Sequence, residues 1–202
     1  QIIAVEIDDS LIRGPLRELS NMPNVDVLLK DALDLNPKDL FRKSEQYKFV
    51  ANLPYNIGSK ILRNFVCGPR PPVCSIVMLQ REVAHNLVPN EGKLGISGAV
   101  LGAFAECEYL FSVKPSSFKP VPRVTSGVVK LTALKNPKVQ SEESESYFNF
   151  IANGFSSPRK QIHNSLAAGF GLTSHDAKKI LICCGIDPMR RPGTLRVLEW
   201  VS

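Results

Sequence analysis

Asn52-Leu53-Pro54-Tyr55 follows the apolar run Tyr47 to Ala51 and sets two oxygen acceptors and an aromatic ring just past a predicted buried strand. The Asn52 carboxamide oxygen and the Leu53 carbonyl, held outward by Pro54, can each accept a hydrogen bond from an exocyclic NH₂, while Tyr55 stacks on the base that bears it. That is equipment for alkylating an adenine at N6. As a bare pattern Asn-x-Pro is also a turn signal, and Tyr55 equally suits a core. The downstream segment Lys114 to Val129 favours the chemical reading. It carries Phe118 on a proline-stiffened loop beside Lys119 and Arg123. Phe118 can close the second face of an extruded base, and the two cations can meet phosphates.

Two acids stand at the ends of other apolar runs. Ile2 to Asp8 places Glu6 where nucleotide-binding α/β folds put a carboxylate that accepts from ribose hydroxyls. Val27 to Leu33 places Asp31 likewise, able to accept from an adenine amine while the Ala32 N–H donates to the ring. Each alone is equally a solvated acid opening a turn. Taken in order, the two acids and Asn52 at three successive strand ends would line one crevice.

Other patterns carry less. Gly92, Gly95, Gly98 and Gly102 follow no strand and lack a Gly-Lys-Ser/Thr ending, so their spacing suits a close-packed helix face rather than a phosphate loop. Arg159, Lys160 and His163 fall within one predicted helical turn, with Arg190 and Arg191 further on. Such a face can hold an RNA backbone without reading its sequence, and it equally suits an ordinary solvated helix. Arg81 reads as a surface or ion-paired residue, and His85 and His175 lack partners that would suggest catalysis. The five cysteines show neither a C-x-x-C pair nor zinc-ligand spacing, which predicts no metal and a reducing cytosol.

These residues need a frame. Apolar, β-branched runs at 2–7, 25–29, 49–53, 73–79, 108–113 and 128–134 alternate with predicted helices at 10–20, 59–66, 81–88 and 96–105, the pattern of a doubly wound α/β sheet. The last two strands are separated only by the Pro-rich segment 114–123, which predicts antiparallel pairing. Residues 135–146 collect Pro, Ser and Glu and read as a linker, followed by four short helices over 147–154, 158–168, 174–184 and 194–201.

A chain of 202 residues, 44% hydrophobic, can bury a real core. Its formal charge of +6 favours a polyanionic partner without demanding one. No apolar run approaches the roughly 18 residues of a membrane span, and no signal-like segment opens the chain.

The motifs Val5-Glu6-Ile7-Asp8, Asp31-Ala32-Leu33, Asn52 to Ile57, Met78 to Ala84 and Phe118 to Val129, with Phe155 to Leu166 and Arg191 to Leu195, resemble the KsgA-type family of small-subunit ribosomal RNA adenine dimethyltransferases. The resemblance runs along essentially the whole chain. It implies a Rossmann-like methyltransferase domain over 1–136, a small helical domain contacting RNA or ribosome over 137–202, and S-adenosylmethionine, without a metal, as cofactor. Glu6 would hold the cofactor ribose, Ile7 would pack on its adenine, and Asp31 with Ala32 would read that ring's edge. Asn52 and the Leu53 carbonyl, with Pro54, would orient the target amine beside the cofactor, between Tyr55 and Phe118. Lys119, Arg123, Arg159, Lys160, Arg190 and Arg191 would contact RNA. The family dimethylates two adjacent adenines near the 3′ end of the small-subunit RNA in a pre-ribosomal particle, which implies a monomeric, cytoplasmic enzyme, with an organelle left open. Its Gly-rich cofactor loop follows a strand that would precede Gln1, so the chain is expected to continue upstream. The segment 90–98 lacks the Tyr-Gly that many relatives carry. Two rivals are the Erm-type large-subunit methyltransferases and a non-catalytic RNA-binding assembly or transcription factor of the same fold. Asn52, Pro54, Tyr55 and Phe118 together speak against the second.

Overall fold

The computed structural model describes residues 1–42, 44–89 and 93–202. They form two compact units, Gln1–Glu45 and Gln46–Ser202.

The first unit carries β1 (Ile2–Glu6), α1 (Asp9–Arg13), β2 (Val25–Leu29) and α2 (Pro37–Leu40). β1 and β2 pair in parallel with Glu6 opposite Leu29. Asp8 caps α1, its carboxylate accepting from the Ser10 N–H at 2.8 Å and the Ser10 hydroxyl at 2.6 Å. The Ser10 hydroxyl holds the Asp8 pKa below its ordinary value. The helix expected to Ser20 stops at Arg13 because Gly14 caps it and Pro15 has no N–H to continue the ladder. A single 3₁₀ turn, Leu19–Asn21, remains of its second half.

The second unit contains β3 (Lys48–Asn52), α3 (Gly58–Val66), β4 (Cys74–Gln80), α4 (Arg81–Leu87), α5 (Ile96–Leu101), β5 (Ala105–Val113) and β6 (Ser126–Ala133). Then follow α6 (Ser144–Gly154), α7 (Ile162–Phe170), α8 (Ser174–Cys183) and α9 (Val197–Val201). The sheet order is β3-β4-β6-β5, with β3 and β4 parallel and β6 antiparallel to both its neighbours. The antiparallel last pair follows from the short Pro-rich connection, as expected. β5 begins three residues before its predicted start, because α5 ends at Leu101 and the chain re-enters the sheet at Ala105.

Among the described residues the strands form one sheet of two and one of four. β3 is an edge, and Val50 on it is 76% exposed. The core of the second unit is built from Leu62, Val77, Leu79, Val129 and Leu131, all essentially inaccessible. Each such side chain contributes about 2 kcal/mol by leaving water.

The glycine spacing does mark a close-packed helix face. A Cβ on Gly98 would meet the Asn86 carbonyl oxygen at 2.6 Å, and one on Gly102 would meet Val197 Cγ2 at 2.7 Å. Gly92 and the start of segment 90–98 lie outside the described residues. The C-terminal helices pack on α5 directly: Tyr147 donates its hydroxyl to the Ala99 carbonyl at 3.1 Å and meets Phe104 edge-on. The linker joins in, its Lys138 N–H donating to the Ala103 carbonyl at 2.8 Å. α6 starts earlier than predicted, and α7 starts at Ile162 rather than Pro158, since Ser157 to Lys160 close a turn first.

Candidate active site

In the first unit, the parallel register of β1 and β2 brings Glu6 and Asp31 to the same carboxyl edge. Glu6 pairs with Leu29, and the Lys30 N–H donates to the Glu6 carbonyl at 3.0 Å, so Asp31 follows immediately. One carboxylate oxygen of Glu6 accepts from the N–H groups of Ile7 (2.8 Å) and Asp8 (2.9 Å). This fixes the carboxylate and leaves its second oxygen to take hydroxyl donors. One Asp31 oxygen accepts from the Leu33 N–H at 2.8 Å, which orients that acid in the same way. Ile7, 65% exposed beside Glu6, offers bare apolar surface for a flat ring. An acid for the ribose, an acid for the adenine edge and an apolar plate suit a nucleoside cofactor.

In the second unit, β3 delivers Asn52 opposite Met78, and the Leu53 N–H donates to the Met78 carbonyl at 3.1 Å. The Leu53 side chain is buried and serves as the anchor. The Pro54 carbonyl accepts from Gly58 at 2.7 Å, starting α3 and leaving the Leu53 carbonyl out of the backbone network. Gly58 permits this close start, since a Cβ there would lie 2.9 Å from Leu79 Cδ2 and 3.0 Å from Leu53 Cβ. Neither the exposed Asn52 carboxamide nor the Leu53 carbonyl accepts a hydrogen bond from any described residue, so both acceptors are available to a ligand.

Tyr55 is half-buried and its hydroxyl lies within hydrogen-bonding distance of Ser126, the inaccessible first residue of β6. Ser126 pairs with both Gln80 and Val113, which closes the base of the loop carrying Phe118, Lys119 and Arg123. Phe118 is half-buried after the 3₁₀ turn Pro115–Ser117, and Lys119 and Arg123 are exposed. The contact that joins Tyr55 to this loop is therefore made through Ser126.

The basic residues divide. Arg159, Lys160 and Arg191 are exposed, the first two before α7 rather than on it. Arg190 is held within the chain. Its guanidinium lies 2.6 Å from Glu199 and also donates to the Thr194 carbonyl, so it locks the last helix in place. His163 is buried, its Nδ1 2.8 Å from the Pro188 carbonyl oxygen. His85 stacks on Tyr109 with ring centroids 4.3 Å apart, and Arg81 is a surface residue. Burial pushes the Cys67 and Cys107 thiols up to about 12, so neither is a thiolate nucleophile at neutral pH. Among the described residues no three His, Cys, Asp or Glu side chains gather at a spacing that would hold a metal.

Sequence reasoning missed the role of Ser126, although it stands within the Phe118 motif. It also passed over a groove lined by Arg63 and Phe148.

Comparison with known proteins bears on the same residues. The family described as Ribosomal RNA adenine dimethylase matches residues 1–201. The Ribosomal RNA small subunit methyltransferase A of Dehalococcoides mccartyi (strain BAV1) is 34% identical over 200 residues, spanning 99% of this chain and 69% of that protein. The protein of the same name from Desulfitobacterium hafniense (strain DCB-2) is 37% identical over 202 residues, spanning 99% and 72%. Two solved structures share the fold. One is the 23S rRNA methyltransferase ErmE (TM-score 0.69, 22% identity, 100% of this chain and 79% of that one). The other is a dimethyladenosine transferase from Plasmodium falciparum (TM-score 0.71, 19% identity, 100% and 79%).

Proposed function

Because the chain belongs to the ribosomal RNA adenine dimethylase family, we propose that it methylates N6 of two adjacent adenines near the 3′ end of small-subunit ribosomal RNA during ribosome assembly. The observation that carries this reading is the pair of unpartnered acceptors, the Asn52 carboxamide and the Leu53 carbonyl, beside a Tyr55 ring tethered to Ser126.

An adenine amine is a poor nucleophile because its lone pair is delocalised into the ring. Asn52 and Leu53 each accept one of its N–H bonds, which holds the nitrogen in place and favours the pyramidal geometry that frees the pair. Pro54 keeps the Leu53 carbonyl outward. Tyr55 and Phe118 hold the faces of the flipped base. No strong base is needed, since the alkylated nitrogen is acidic enough to lose its proton to water.

The donor set at Glu6, Ile7, Asp31 and Ala32 fits S-adenosylmethionine, which supplies an electrophilic methyl on a sulfonium. Glu6 takes the ribose hydroxyls, Ile7 the adenine face, and Asp31 and the Ala32 N–H the adenine edge. Lys119, Arg123, Arg159, Lys160 and Arg191 supply sequence-independent contacts to phosphates. In this reading residues 1–136 carry the chemistry and 137–202 meet the RNA, in a monomer acting on a pre-ribosomal particle in the cytoplasm or an organelle.

Incubation with methyl-labelled S-adenosylmethionine and either immature small subunits or free large-subunit RNA tests the assignment. Label on the small subunit supports it. Label on the large-subunit RNA alone makes the enzyme an Erm-type methyltransferase, and label on neither makes the chain a non-catalytic RNA-binding protein.

A further inference from the structure

A groove of about 370 Å³ opens between α3, α5 and α6, with Asn56, Lys60 and Arg63 on one wall and Ile96, Val100 and Phe148 on the other. The Arg63 guanidinium lies over Phe148, its Cζ 3.5 Å from the ring centroid. Stacking satisfies the charge but leaves the in-plane N–H fork without acceptors. The nearest carboxylate, Glu145, is 4.0 Å away and its side chain is 71% exposed, whereas that of Arg63 is 19% exposed. No described residue accepts a hydrogen bond from the Arg63 guanidinium, which leaves a largely buried fork with its donors open. Lys60 adds a second, exposed cation at the rim, and Ser59 and Ser97 add hydroxyls.

The place of this groove matters. Asn56 follows Asn52 by four residues, so the two Cα atoms are at most about 14 Å apart. Cations beside an apolar wall are the equipment of a single-stranded nucleic-acid site, where the phosphate meets the charge and the base covers the wall.

We propose that the groove is a subsite for a nucleotide neighbouring the target adenine. Arg63 and Lys60 take its phosphate, and its base lies against Ile96, Val100 and Phe148. The inference rests on the reading of Asn52 as the point of methylation. It adds a second grip on the strand, which sets the register of the RNA so that the correct base reaches Tyr55.

The test uses the full chain and a hairpin RNA bearing the two adenines, intact or with each neighbouring nucleotide in turn made abasic. Arg63→Gln and the groove-filling Ser97→Phe should each raise KM for intact RNA about tenfold with kcat little changed, the loss expected for a charge-assisted phosphate contact. With one particular abasic RNA, Ser97→Phe should have no further effect. Glu145→Gln should lower KM, because it removes a carboxylate from the rim. Ile96→Ala, which trims the wall the base covers, gives the same readout should Ser97→Phe fail to fold. Equal losses by Ser97→Phe for intact and every abasic RNA, or unchanged KM in all variants, would overturn the proposal. In that case methylation by the wild type but not by Asn52→Ala would leave the Asn52 reading standing. A wild type that labels no RNA would remove both.

Discussion

The Tyr55 hydroxyl lies 2.7 Å from Ser126 Oγ, joining the turn after β3 to the first residue of β6. Ser126 is inaccessible to solvent, so no water can replace this partner without rearrangement. The bond fixes the Tyr55 ring relative to the base of the Phe118 loop.

Ser126→Ala should therefore slow single-turnover methylation about tenfold by loosening the ring, in line with the net worth of one part-buried hydrogen bond. Tyr55→Phe should match it, since it removes the same bond, and Tyr55→Ala should fall further because the stacking plate is gone. Rapid-quench measurement of the methyl-transfer step reads all three. A Tyr55→Phe enzyme as fast as wild type would mean that the tether does not position the ring.

Cofactor and target sites should separate by mutation. Asn52→Ala is expected to lose on the order of a hundredfold or more in rate, as when one preorganised polar partner is removed, while cofactor affinity stays within a few-fold of wild type. Glu6→Ala should do the reverse, weakening S-adenosylhomocysteine binding about tenfold or more through the lost charge-assisted bonds. Titration calorimetry with the product cofactor, set beside quench-flow rates, distinguishes the two effects.

Gly98→Ala should destabilise the protein by about 1–3 kcal/mol, the usual penalty for overpacking. The added methyl would press on the Asn86 and Leu87 carbonyl oxygens, at 2.6 and 2.9 Å. Urea unfolding of the variant and wild type checks this, and equal midpoints would show that α4 and α5 can part without cost.

Glu199 gives the chain an acid-sensitive contact. Hydrogen bonds from Arg190, and then the Arg196 N–H, hold its carboxyl at about 2, below the ordinary 4.5, against the opposing effect of burial. A depressed folded-state pKa means that the stabilisation is complete above the ordinary glutamate range and is lost as pH falls from about 4.5 towards 2. The stability difference between wild type and Glu199→Gln should be flat near neutrality and shrink across that window. Denaturant titrations at stepped pH follow it, and a difference that does not change with acid would exclude the mechanism.

Much of the frame was legible because β-branched runs bounded by turn residues mark strands whatever surrounds them. β2 spans Val25–Leu29 as read, and β3 is shifted by one residue. The truncation of α1 was equally readable, in Gly14-Pro15. Long-range partnership was not. Arg190 and Arg191 are adjacent and identical in type, and only the fold of Pro192–Thr194 and α9 brings Glu199 to the first of them. Ser126 meets Tyr55 only because β6 pairs with β4. Arg63 and Phe148 share a groove for the same reason: helices distant in sequence are neighbours in space.

Tyr147 and Val197 both grip α5, one at Ala99 and the other at Gly102. Severing the chain after residue 136 would not free a self-sufficient catalytic half. It would strip cover from Phe104 and the flank of α5, and so remove a wall of the groove beside Asn56. Residues 46–202 should accordingly melt in a single cooperative step, with the tail acting as a structural strut for α5.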